Sequence, residues 1–180
     1  DHFFNEYSRC YPLGTSNYHM TYRIFGYSTG EQIPEAWEFS LQNGVLSENI
    51  DLYAGSVPNE LFGARWAGDT DAIDRLMFGV STDLPATLIS SGTPPEEAWE
   101  LWGNITNMTQ KELCSPSMPV QDAIDLARFM AETAARFAHF KAGASTIGGP
   151  IEIAAVTKHE GFRWISRKHY FDTSLNGTNQ

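Results

Sequence analysis

Apolar residues recur along this chain in two rhythms, and the changes of rhythm mark its elements. Tyr18-His-Met-Thr-Tyr-Arg-Ile-Phe25 alternates, with Tyr18, Met20, Tyr22 and Ile24 on one face and His19, Thr21 and Arg23 on the other. That period of two is the signature of a strand. Gly26-Tyr-Ser-Thr-Gly-Glu31 reads as a turn, Ala36-Trp-Glu-Phe-Ser-Leu41 alternates again, and Asn43-Gly44 is a hairpin dipeptide, since both residue types accept positive φ. Ile50-Asp-Leu-Tyr-Ala54 is the next short strand. Strands in sequence joined by tight turns predict an antiparallel meander. Before it, Asp1 to Asn17 is mixed and polar, a loop with a helix end in Phe3 to Tyr7.

The period then lengthens. Asp69-Thr-Asp-Ala-Ile-Asp-Arg-Leu-Met77 predicts a helix with Asp69 as N-cap, Asp71 and Asp74 at the positive end of its dipole and Gly79 as its stop. Its buried stripe is expected at Ile73, Leu76 and Met77. Residues 84 to 118 are less regular. Pro94 and Pro95 open a short acidic helix, Glu96 to Trp102, ended by Gly103, and Ser117 is the expected cap of the next, longer helix. Val120, Ala123, Ile124, Ala127, Ala131, Ala134 and Phe137 recur three and four apart and write that long helix. Its alanines predict close packing on the strand after it, Ala127, Ala131 and Ala134 against Ile151, Ile153 and Ala155. Between them Lys141-Ala-Gly-Ala-Ser-Thr-Ile-Gly-Gly-Pro150 has three glycines and a terminal proline and cannot stay helical. Ile151 to Thr157 is β-branched and apolar, Lys158 to Gly161 is a turn, and Phe162-Arg-Trp-Ile165 is the return strand.

This order resembles the C-terminal third of a proteasome β-type subunit, in the N-terminal-nucleophile hydrolase class. The residues that carry the likeness are Asp122-Ala-Ile-Asp-Leu-Ala127, Gly148-Gly-Pro-Ile-Glu-Ile-Ala-Ala-Val-Thr-Lys158 and Gly161-Phe-Arg-Trp164. The helix at Asp69 also falls where the family has one, between the meander and the long last helix. The likeness is weaker over Tyr18 to Gly79, and 84–118 is longer than the family's usual connection, as an insertion would be. The resemblance implies an α/β (α+β) fold of four layers, αββα, with two stacked antiparallel sheets flanked by helices. It implies a single domain over 1–180, the C-terminal two-thirds of the family's domain. The chain starts at Asp1 without a methionine, so its start is processed, trimmed or incomplete.

Composition narrows the partners. A formal net charge of −10 argues against nucleic acid or an anionic membrane surface. Arg163, Arg167, Lys168 and His169 form the one basic group, expected to be a solvated strand end. No apolar run approaches the length of a bilayer span. Two cysteines, Cys10 and Cys114, declare no disulfide framework. Sequons stand at Asn104, Asn107 and Asn176, as chance allows in a chain rich in Ser and Thr. A reduced, cytoplasmic setting is the expectation.

The family's chemistry depends on a Thr, Ser or Cys that cleavage makes the first residue. Its side chain attacks a carbonyl, and its own α-amine serves as base. An Asp and a Lys on early strands tune that amine, and a backbone donor near mid-fold stabilises the oxyanion. Asp1 is no such nucleophile, so the chain is expected to lack it and to be inactive alone. A rival nucleophile is Thr15, since Gly14-Thr15 is the dipeptide at which proteasome β precursors cut themselves. Against it, the first lysine is Lys111. By the resemblance, the elbow Gly143 to Gly149 matches the loop that sets an Asp and a Ser beside the nucleophile. Ser145 and Thr146 offer hydroxyls there, and the Asp is missing. Ala54-Gly-Ser56 and Ala67-Gly68-Asp69 are the places for the oxyanion donor, because a helix opening at Asp69 points N–H groups outward. The plain alternatives are a glycine-permitted turn and an ordinary capped helix.

The five histidines are dispersed with no HxxxH spacing, so neither a metal nor a cofactor is expected. The expected partners are a peptide or amide substrate and further copies or homologous subunits. Trp99 and Trp102, three apart, offer one such contact. Two other functions stay open: a non-catalytic assembly subunit of proteasome α-type character, and an unrelated secreted α+β binding domain.

Overall fold

The computed structural model of the chain describes residues 19–31, 34–42, 45–46, 50–51 and 62–168. Thr15, Cys10, the turn residues Asn43 and Gly44, the Ala54-Gly-Ser56 loop, Asn176 and His169 lie outside them. The described elements make a mixed α/β structure with two small antiparallel sheets and four helices. Contacts divide it into two compact units, one holding the first sheet with Val156–Arg163, the other holding Phe62–Ala155 and the residues from Trp164.

The first sheet is the expected meander. β1 (His19–Gly26) pairs antiparallel with β2 (Glu35–Gln42) along its whole length. The register places Met20, Tyr22 and Ile24 opposite Leu41, Phe39 and Trp37. The alternation read from β1 is thus matched, residue for residue, by apolar partners on the same face. The other face carries the polar pairs. Arg23 Nε donates to Glu38 Oε2 at 2.7 Å, and the Thr21 and Ser40 hydroxyls lie 3.3 Å apart. β3 (Val45–Leu46) and β4 (Ile50–Asp51) both pair with β2, at its two ends. Since β1 occupies one edge of β2 throughout, both lie along the other edge as an interrupted third strand.

In the helical unit, α1 (Asp71–Phe78) opens at Thr70 and closes at Gly79, whose φ of 80° lets its N–H reach Arg75 O. A Cβ at Gly79 would stand 2.8 Å from Thr109 Cβ, so glycine serves both the left-handed cap and the close approach. Two expectations fail here. Asp69 is not the N-cap; Thr70 holds that place, and no side chain caps the helix. Leu76 is 44% exposed, whereas Asp74 is buried in its stead. The exchange is possible because Asp74 has donors waiting for it: Trp66 Nε1 at 2.8 Å, Thr70 Oγ1 at 2.5 Å and Thr82 Oγ1 at 3.4 Å. A buried carboxylate with its acceptor sites filled avoids most of the desolvation cost.

The irregular stretch contains α2 (Leu84–Ser90), a helix that periodicity did not reveal, and α3 (Pro95–Thr109). α3 runs straight through Gly103, the predicted stop. A mid-helix glycine costs about 1 kcal/mol relative to alanine. Tertiary contacts on both sides of it outweigh that: Trp102 Nε1 donates to Ser81 O at 3.2 Å, Thr106 is buried, and the Thr109 hydroxyl donates to Phe78 O. Trp102 meets Phe78 and Trp99 edge-on. Only Trp99 of that pair is turned outward.

α4 (Val120–Phe140) begins at Pro119 with no side-chain cap, so Ser117 does not cap it. Its packed ridge is Leu126, Met130 and Ala134, against Ile73, Met77, Trp66 and Phe78. These positions step by four, the row that a helix presents to a helical neighbour. The alanine stripe expected on the strand is corrected accordingly. α4 packs on α1, and Ala127 is exposed. Small residues recur at helix–helix contacts for the same reason as at helix–sheet contacts, and sequence alone does not name the partner.

β5 (Ile153–Thr157) and β6 (Gly161–Ser166) form a hairpin over a three-residue turn. Its base is closed by Ser166 Oγ donating to Ile151 O at 3.0 Å and Lys168 N to Glu152 Oε1 at 3.0 Å. Arg163 on β6 is exposed, as are Arg167 and Lys168 just beyond the strand's end, with the Arg167 guanidinium over the Trp164 ring. No helix among the described residues is long and apolar enough to cross a membrane.

Candidate functional site

The glycine elbow and the opening of α1 meet. Thr146 Oγ1 donates to Asp69 Oδ2 at 2.5 Å, across 77 residues of sequence. Both loops stand out by their composition, and both lie in the helical unit. Gly68, at φ 96°, turns the chain into α1 and presents Asp69 towards the elbow. Gly143 and Gly149, also at positive φ, bound the elbow's turn. Between them Ser145 Oγ donates to Ile147 O at 2.8 Å. Ser145 therefore holds the shape of the elbow, and Thr146 is the hydroxyl that leaves it.

A second link lies beside the first. Lys141, the residue that caps α4, places its Nζ 3.6 Å from Asp71 Oδ2. Arg75 Nε donates to the other oxygen of Asp71 at 2.8 Å, and Ser81 Oγ approaches that oxygen at 3.4 Å. The hydrogen bond from Arg75 holds the Asp71 carboxyl below the usual carboxylate range, and the charges of Arg75 and Lys141 act in the same direction. Burial opposes them and is outweighed. Asp71 is an anion whose charge is largely answered. Asp69 is answered by a hydroxyl alone among the bonds described.

Helix N-termini attract anions, and two carboxylates, Asp69 and Asp71, stand at the opening of α1 together with the cations Arg75 and Lys141. The elbow carries no acid in its own sequence. The fold brings Asp69 to it from a distant segment.

Other groups add little chemistry. Burial, with the Glu112 charge behind it, pushes the Cys114 thiol up, so it is protonated at neutral pH and a poor nucleophile. His139 stacks edge-on against Phe140 near the end of α4. Among the described residues no group of three or more His, Cys, Asp or Glu side chains is placed to hold a metal ion. No family model, no curated protein and no solved structure matches this chain.

Proposed function

We propose that the chain belongs to a proteasome-like N-terminal-nucleophile hydrolase, a threonine-type peptidase or amidohydrolase, and that Asp69 and Thr146 face the nucleophile's α-amine. The observation that carries this reading is the hydrogen bond between them. It supplies the carboxylate that the elbow itself lacks. In such a reaction the side-chain oxygen or sulfur bonds to the carbonyl carbon while its proton passes to the α-amine. The resulting ammonium is stabilised by a carboxylate and a hydroxyl oxygen within reach. It then protonates the leaving amine as the amide C–N bond breaks, and water releases the acyl group from the enzyme. The reading carries with it the four-layer αββα fold. It also holds that the chain contributes scaffold and no nucleophile, and is inactive by itself.

A second reading, a non-catalytic assembly subunit, is favoured by one observation. Trp99 and Met108 on α3 and Phe140 on α4 are large apolar side chains turned to solvent.

The test is hydrolysis of fluorogenic peptide amides by the product of the complete gene, with its mature first residue identified by mass spectrometry. The hydrolase reading expects a first residue of Thr, Ser or Cys, and activity abolished when it is replaced by alanine. It expects none from the 180-residue chain alone. A full product with another first residue and no hydrolysis refutes the enzyme and leaves the assembly reading. Hydrolysis by this chain that disappears in Thr15→Ala makes Thr15 the nucleophile.

A further inference from the structure

The glycine elbow between α4 and β5 is fixed at its two ends and nearly bare between them. At one end Lys141 N donates to Phe137 O at 3.0 Å, closing α4. At the other, Ser166 Oγ donates to Ile151 O at the base of the hairpin. From Ala142 to Pro150 no backbone group is hydrogen-bonded to another backbone group among the described residues. Every residue there is exposed except Ile147, which is half-buried. A stretch with so few contacts belongs to the part of a fold that opens most readily. Two polar contacts hold it: Thr146 Oγ1 donates to Asp69 Oδ2, and Lys141 Nζ stands 3.6 Å from Asp71 Oδ2. Only the first acts on the middle of the segment.

The glycines set the shape that makes this contact. Gly143 at φ 114° and Gly149 at φ 87° stand to either side of Thr146. These angles suit glycine and few other residues. A Cβ at either position would meet nothing within 4 Å, so glycine supplies conformation there and not room. Both are points where the chain can change φ and ψ at little steric cost, as a hinge requires.

We propose that residues 143–149 form a hinged strap, closed against the opening of α1 by the Thr146–Asp69 bond and swinging out when that bond breaks, while the helices stay folded. One exposed hydrogen bond is a weak fastening, so the open form is populated in the native protein. The motion itself needs no hydrolytic activity. Its consequence rests on the hydrolase reading given above: opening takes the Thr146 hydroxyl from Asp69, and with it one of the two groups assigned to the α-amine.

Thermolysin tests it, because that protease cleaves before large apolar residues and the strap offers it the Thr146–Ile147 bond. Mass spectrometry of the purified chain during digestion should show the fragment that begins at Ile147. Its rate of appearance follows the open population when opening and closing outpace cleavage. Asp69→Ala removes the fastening, and Gly143→Ala puts a Cβ at an angle it rarely adopts. Each should speed this cut about three- to tenfold. Asp69→Asn keeps an acceptor oxygen and should speed it less than Asp69→Ala. A local opening exposes little surface, so the rate should hardly change in low urea, whereas cutting through global unfolding rises steeply. That comparison separates a freed strap from a variant that merely folds less well. Absence of this cut refutes the strap. So does a cut as fast in the wild type as in Asp69→Ala and Gly143→Ala, or one that climbs steeply with urea. Failure of the complete gene product to hydrolyse peptides removes the consequence alone and leaves the strap in place.

Discussion

Trp66 Nε1 donates to Asp74 Oδ1 at 2.8 Å, joining the segment that leads into α1 to a carboxylate only 3% exposed. Thr70 and Thr82 donate to its other oxygen. Asp74 therefore fastens three stretches of chain beside the cluster of Ile73, Met77 and Met130. Removing the acceptor leaves Trp66 and Thr70, both half-buried, without their partner, whereas Thr82 is exposed and can turn to water. Asp74→Ala should cost about 1–2 kcal/mol in urea unfolding, because partly buried donors that lose their acceptor carry part of the desolvation penalty. Asp74→Asn keeps one acceptor oxygen and should cost less. Equal, small losses for both would mean that Trp66 and Thr70 also have water as an alternative.

The packing of α4 predicts a contrast between two alanines. Ala134 touches the cluster with α1, and Ala127 is exposed. Ala134→Leu should overpack and lose about 1–3 kcal/mol. Ala127→Leu should stay within about 0.5 kcal/mol of the parent. If Ala127→Leu is the damaging change, α4 presents its other face to the fold and the helix–strand expectation returns.

Asp71 predicts a pH dependence with a definite sign. Arg75, and then Lys141, hold its carboxyl below the usual range. The stabilisation is complete above the ordinary carboxylate pKa of about 3.9 and is lost as the pH falls through the lower folded value. Both cationic side chains are half exposed, so the effect is screened. Asp71→Asn should cost about 0.5–1 kcal/mol near neutral pH, and the difference from the parent should shrink as the pH falls below about 4. A gap that widens with acid would reverse the sign and remove Asp71 from the linkage.

What was legible in the sequence was what a local period encodes. The alternation in β1 and β2 emerged as facing apolar pairs, Met20 with Leu41 and Ile24 with Trp37. Gly79 stops α1, because a left-handed cap is a local matter. What failed depended on partners far along the chain. Gly103 reads as a stop until Trp102 and Thr109 are seen fastened to Ser81 and Phe78. Leu76 reads as core until the donors around Asp74 are known. The two loops of the candidate site could each be picked out by glycine and polar residues. Their meeting could not, since nothing local in Thr146 specifies Asp69.

The central claim is that the elbow and the opening of α1 form one site, joined by Thr146 and Asp69. A double-mutant cycle on stability, with Thr146→Val, Asp69→Asn and both together, measures that link most directly. An exposed, charge-assisted bond of this kind should appear as a coupling energy of about 0.5–1.5 kcal/mol, with the double variant losing less than the sum of the single losses. Strictly additive losses would contradict the claim: the elbow and Asp69 would then be separate loops, and the hydroxyl–carboxylate pair on which the proposed function rests would be absent in solution.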